Sequence, residues 1–173
     1  MKILFIAHYF QPEPGFFFAL PFARALRDRG HQVEVITGYP NYPSGKLMAG
    51  YRQKLKMVEW MDGIKVTRVP LFISHDRSSI RRILSYSTLS ASQALIGTFC
   101  SFDADIAFVS QGPATIGLSS VWFKWLKRIP FVYQIQDLWP DSLSASGMFR
   151  SEAGLKLVHW WCRFVYSQSA HIA

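Results

Sequence analysis

Asp137 and Asp141 are the residues whose type and spacing point most directly to chemistry in this 173-residue chain. They lie in Gln136-Asp137-Leu138-Trp139-Pro140-Asp141-Ser142, just after an apolar run that reads as a strand. A carboxylate past the carboxyl end of a strand can accept a proton or order a hydroxyl. An Asp before a helix can equally be its N-cap, and position alone leaves both readings open. A second stretch, Gly38-Tyr39-Pro40-Asn41-Tyr42-Pro43-Ser44-Gly45-Lys46, places two Tyr rings, an amide and a cation between stiff turns. Tyr39, Asn41, Tyr42 and Lys46 suit contact with a sugar or a lipid head group; the same composition also serves an ordinary ordered loop. A third stretch, His8-Tyr9-Phe10-Gln11-Pro12-Glu13-Pro14-Gly15, leads into a helical pattern. A helix N-terminus favours anions, so Glu13 and Gly15 join the candidates; the alternative is a rigid turn bounded by prolines. With Gly15 as its only glycine, this loop is not a GxGxxG fingerprint.

These stretches must be held by strands and helices. Lys2 to Ala7 is a continuous apolar run, as in a strand buried on both faces of a parallel sheet. Ala19, Leu20, Phe22, Ala23 and Leu26 form one face of a helix, with Pro21 in its first turn and Gly30 as its C-cap. Val33–Thr37, Ile64–Val69, Asp105–Ser110 and Ile129–Ile135 read as further strands. Helices are expected from Ser79 to about Thr98, from Gly112-Pro113 to about Lys127, and from Glu152 to Ser167. His171-Ile172-Ala173 looks like the start of one more strand. The alternation predicts an α/β fold, a Rossmann-like three-layer α/β/α sandwich with a mainly parallel sheet. In such sheets ligands bind outside the carboxyl ends of the strands, which is where loops 8–18, 38–46 and 136–147 fall.

Half the residues are hydrophobic and 17% are charged, which excludes a disordered chain. The net charge of +8 suits nucleic acid, an anionic membrane surface or a phosphorylated substrate. No RNA-binding signature, zinc-finger spacing or basic tail is present, so nucleic acid is not expected as a partner. Cys100 and Cys162 lack any CxxC context and read as free thiols. The five histidines show no metal spacing, and HExxH, P-loop and GxSxG motifs are absent; neither a metal nor a cofactor is expected. The short run at the N-terminus lacks a cleavage site, so the expected location is cytoplasmic. Ile83–Phe102 carries no charge but many hydroxyls, and reads as a buried or interfacial helix rather than a membrane span.

Basic residues beside aromatic ones suggest a membrane-surface element. Arg81 and Arg82 open the uncharged helix, and Trp122, Lys124, Trp125, Lys127 and Arg128 form a second cluster. The plainer alternative has the rings in the core and the cations on a solvated helix edge.

The segments MKILFIAHYFQPEPG, LRDRGHQVEVITG, YPNYPSGK and QIQDLWPDS, in that order, resemble glycosyltransferase family 4, and within it the transferases of bacterial surface polysaccharides such as O-antigen and colanic acid. The resemblance covers essentially the whole chain, residues 1–173. It implies the N-terminal, acceptor-holding half of a GT-B enzyme, with the donor nucleotide-sugar bound mainly by a C-terminal domain that the sequence does not contain. It further implies sugar transfer with retention, without a metal, to a lipid-linked acceptor at the inner face of the membrane. Asp137 matches the family's Asp at the end of the fifth strand and is the expected catalytic residue. Glu13, Gly15, Tyr39, Asn41, Tyr42, Lys46, Gln136, Trp139 and Asp141 are the expected acceptor contacts. Many members carry a His directly before that Asp; here it is Gln136, which is neither a base nor a cation. Phe16, Phe17 and Phe18 stand where small residues are usual. By this reading the isolated chain transfers no sugar. Two other classes remain: a non-catalytic membrane-surface or partner-binding domain that keeps the fold, and a dinucleotide-binding oxidoreductase, against which the missing GxGxxG counts.

Overall fold

Strand β1 (Lys2–Ala7) sends alternate side chains into two separate cores, Ile3, Phe5 and Ala7 into one and Leu4 and Ile6 into the other. A strand can do this only in the middle of a sheet covered on both faces. The computed structural model, which describes residues 1–14, 19–74, 78–139, 141 and 151–173, places β1 at that centre. β2 (Gln32–Gly38), β4 (Ile64–Val69), β5 (Ile106–Ser110), β6 (Phe131–Gln134) and β7 (His171–Ile172) run parallel to it. β3 (Met57–Met61) pairs antiparallel with β4 at the edge, giving the order β3-β4-β2-β1-β5-β6-β7. The expected α/β/α sandwich with a mainly parallel sheet is therefore what the chain forms. β3 is not among the strands expected from periodicity. Its signal is the Asp62-Gly63 pair, which takes positive φ at both residues (51° and 75°) and makes the tight hairpin turn.

One face is covered by α1 (Ala19–Asp28), with Ala19 and Ala23 against β1, β2 and β4. α1 stops at Gly30 (φ 84°), whose N–H donates to the Arg27 carbonyl at 2.8 Å while His31 N–H reaches Leu26 O at 3.2 Å. That pair of bonds caps the last turn, and the left-handed φ suits Gly. The other face is covered by α2 (Ser79–Cys100), α3 (Gly117–Lys127, preceded by a 3-10 turn at Ala114–Ile116) and α4 (Glu152–Gln168).

α2 is 22 residues, about 33 Å long at 1.5 Å per residue. Its uncharged sequence is used for burial against protein. Leu89 and Ala94 are buried, and buried Gln93 donates Nε2 to the Ala7 carbonyl at 2.8 Å. Gly97 lets it sit close: a Cβ there would stand 2.8 Å from Phe123 Cζ and would also strike Ile36. Among the described residues, no helix is long and apolar enough to cross a membrane.

Candidate functional site

The loops after β1 and β2 are tied together by two buried charges. Arg68, on β4, has no exposed side-chain area. Its guanidinium bonds Glu59 on β3, the Gln11 carbonyl of the first loop and, at 3.0 Å, the Gly38 carbonyl at the end of β2. It also lies 5.2 Å from the centre of the Tyr51 ring. An Arg is the side chain whose fixed fork can serve three acceptors at once. Glu13 does the complementary work. Its carboxylate accepts from the N–H groups of Asn41 (2.8 Å), Tyr42 (2.9 Å) and Phe10 (3.2 Å). Burial pushes its carboxyl above the usual range, and those three N–H groups and Arg68 only partly offset that.

Tyr86 on α2 joins the first loop and feels the charge of the third. Its ring meets His8 edge-on at 5.1 Å, and His8 meets Tyr9 at 4.2 Å. Burial drives the His8 imidazole down to about 3, so it is neutral. Burial also raises the Tyr86 hydroxyl; Arg82 acts to lower it and Asp137 to raise it further, so the phenol feels both a cation and the candidate carboxylate. Asp137 itself is exposed, and its carbonyl accepts from Trp139 N–H at 3.0 Å and Gln111 Nε2 at 3.3 Å.

Between these elements lies an open cleft of about 310 Å³, at the low end of the size range of small-molecule sites. Tyr9 from the first loop, Asn41, Tyr42, Pro43 and Gly45 from the second, Ser74, and Arg81, Arg82, Ser85 and Tyr86 from α2 line it. Tyr9 and Tyr42 lie 5.3 Å apart, centre to centre. The Tyr9 hydroxyl is raised, by burial first, then by Tyr86, Glu13 and Tyr42, with Arg82 opposing. Phenols, amides and guanidinium groups offer stacking faces and donors to a polar, anionic or sugar-like ligand. Among the described residues no group of three or more His, Cys, Asp or Glu side chains could hold a metal ion.

The structure redistributes the expected site residues. Asn41 and Tyr42 line the cleft. Tyr39 does not: it is fully buried in the core, with its hydroxyl accepting from Lys54 N–H at 3.1 Å, because the residue after β2 still points inward. Glu13 is a buried organiser of the loops. Lys46 is exposed and its N–H bonds Ser44 Oγ. Gln136 is exposed and donates to Ser110 Oγ at 2.9 Å. Trp139 lines a separate apolar groove with Leu118, Leu157, Trp160 and Trp161. Asp141 is exposed. Gly15, Phe16, Phe17, Phe18 and Ser142 lie outside the described residues. Arg81 and Arg82, read from sequence with the membrane-surface cluster, line the cleft, whereas Trp122, Lys124, Trp125 and Lys127 sit on α3 near the opposite end of α2. Tyr9, Tyr86, His8 and Arg68 were not expected at the site. For Arg68 the signal was available, a charge at the alternate position that follows apolar Ile64 and Val66 on one face of the strand.

The model of the glycosyl transferase 4-like domain family matches residues 18–173. No curated protein matches the chain. Similar solved structures include Acinetobacter baumannii MurG, at 14% identity over 91% of this chain and 39% of that one with a TM-score of 0.41. Another is sucrose-phosphate synthase from Thermosynechococcus elongatus, at 12% identity over 99% of this chain and 41% of that one with a TM-score of 0.48. The chain thus spans about two fifths of the length of each.

Proposed function

The chain belongs to the family of glycosyl transferase 4-like domains, and from that premise we propose that it is the acceptor-holding half of a GT-B enzyme. The reaction is transfer of a sugar, with retention, from a nucleotide-sugar to a lipid-linked acceptor in bacterial surface polysaccharide assembly. The donor's nucleotide is held by a second domain, the other half of that fold. The observation that carries this reading is that the Asp137 carboxylate acts electrostatically on the hydroxyl of Tyr86, a residue that lines the cleft. An acceptor lying in the cleft brings a hydroxyl to that carboxylate, which orders it and takes its proton as the glycosidic bond forms on the face of the sugar from which the donor nucleotide departs, its bond to the sugar breaking. Tyr9, Tyr42 and Asn41 orient the acceptor by stacking and hydrogen bonding.

The acceptor's lipid places the domain at the inner face of the cell membrane. Trp125 and Leu126 on α3 and Leu157 and Trp160 on α4 are exposed, with Lys124, Lys127 and Arg128 close by in sequence. Aromatic groups next to cations suit the interface of an anionic bilayer, and each cation there adds about 1 kcal/mol.

The test uses an enzyme that contains both halves. Asp137→Asn is expected to lower kcat by about 10² while acceptor binding to the 173-residue chain stays intact. Turnover that survives the change makes Asp137 a turn residue and overturns its role. The 173-residue chain alone is expected to transfer no sugar, because the binding energy for the donor is supplied elsewhere; measurable turnover would refute the division of labour.

A further inference from the structure

We infer that the cleft contains a phosphate subsite, in which Arg82, with Arg81 beside it, neutralises a phosphate ester of the bound ligand. That the phosphate is the acceptor's own rests on the function proposed above; the subsite itself rests on the geometry of α2 and the two loops facing it.

The first turn of α2 contains two arginines and no acidic residue. Cations at the positive end of a helix oppose its dipole, at a cost of some tenths of a kcal/mol each. Here both arginines line a concave site, with Tyr9 and Tyr42 on the facing loops and Ser85 and Tyr86 one turn further along α2. An anion seated there meets the guanidinium groups, the positive end of the helix and several hydroxyls together. Arg offers phosphate a planar pair of donors.

The charges around the site fit this assignment. Among the described residues no acidic side chain lines the cleft. Of the two carboxylates that act on the lining tyrosines, Glu13 already accepts three backbone N–H bonds and Asp137 lies outside the lining. Arg82 acts on both Tyr9 and Tyr86 in the direction that favours negative charge. A volume of about 310 Å³ accommodates a diphosphate or a phosphorylated sugar rather than a whole lipid.

The same chemistry is offered by a free phosphate compound and by a lipid head group, and the experiment separates them. Inorganic pyrophosphate is titrated into the 173-residue chain by calorimetry, and in parallel the chain is sedimented with phosphatidylglycerol vesicles. Pyrophosphate is expected to bind saturably, at least tenfold more weakly in Arg82→Ala and in the Arg81→Ala/Arg82→Ala double variant, and unchanged in Lys124→Ala/Lys127→Ala. Should Arg82→Ala fail to fold, Arg82→Lys carries the comparison, since it keeps the charge and loses the planar fork. Absence of saturable binding, binding indifferent to Arg82, or capture by vesicles that depends on Arg81 and Arg82 without any pyrophosphate binding would overturn the subsite. A lipid-linked diphosphate sugar is expected to compete with pyrophosphate. If pyrophosphate binds at the arginines and no such acceptor competes, the subsite stands and the proposed acceptor function falls.

Discussion

At the amino end of α2, Arg81 and Arg82 look into a cleft lined by three tyrosines; at its carboxyl end, Lys127 reaches the Ser101 carbonyl at 3.4 Å and Asp103 at 3.5 Å. Close by, Lys124 donates to the Gln168 carbonyl at 2.6 Å, and Trp122 and Trp125 use their indole N–H groups on Thr98 and Gln168. In sequence both groups are cations beside apolar residues. In the fold one group stands where a helix dipole opposes it and the other where carbonyls at helix ends welcome it. The lysines are satisfied by the protein itself. The arginines line a concave site instead.

The largest test of this contrast is at the amino end. Arg68→Met leaves Glu59 without its cation and the Gln11 and Gly38 carbonyls without their donor. Breaking a buried pair in this way is expected to cost about 3–5 kcal/mol, read as a lower urea midpoint. A loss under about 1 kcal/mol would mean the two loops hold their places without Arg68, and the cleft would owe its shape to something else.

At the other end, Gly97→Ala is expected to cost about 1–3 kcal/mol, because the new methyl meets Phe123 and Ile36. Unchanged stability would show that α2 can lift off the sheet there, and that the two ends of the helix are not held at fixed separation.

His8 sharpens the comparison through pH. Its imidazole titrates near 6.5 when unfolded and is pushed down to about 3 by burial in the fold. Between those values the unfolded chain binds a proton that the native chain refuses. Stability is therefore complete above about pH 6.5 and falls as pH drops, by up to about 1.4 kcal/mol per pH unit. His8→Phe, which keeps an aromatic ring against Tyr9 and Tyr86, is expected to flatten that slope in denaturant titrations between pH 4 and 7. A slope indifferent to the substitution would place the proton uptake on another group.

The smallest effect belongs to the ion pair at the carboxyl end. Asp103 is almost fully exposed, so Lys127→Met is expected to change stability by less than about 1 kcal/mol in a thermal melt. A larger loss would mean that Lys127 matters chiefly through the Ser101 carbonyl.

Much of the layered architecture was legible because its signals are local. The continuous apolar run at 3–7, a capping Gly30 and the alternation of strand and helix all follow from side-chain period and backbone freedom. β3 was missed because its residues alternate between half-buried and exposed at a sheet edge, which leaves no apolar run to notice. The site was less legible. The three loops could be placed at the carboxyl edge by topology, and Asn41 and Tyr42 do line the cleft. Tyr39 could not be told from Tyr42 by composition, since which ring faces the core depends on the direction the chain takes on leaving β2. Arg81 and Arg82 read as a surface pair because no local pattern reveals what lies across from a helix terminus.

The sequence by itself determined the strand–helix alternation, the family and the position of Asp137 after a strand. Tertiary structure alone decided that Glu13 and Arg68 clamp the loops, that Tyr86 brings α2 to His8 of the first loop, and that the two cationic groups sit at opposite ends of a helix about 33 Å long. Periodicity and turn chemistry act over a few residues and are written along the chain. The burial of a charge and the lining of a cleft depend on groups separated by tens of residues, as Arg68 is from Gln11, and these meet only when the sheet has assembled.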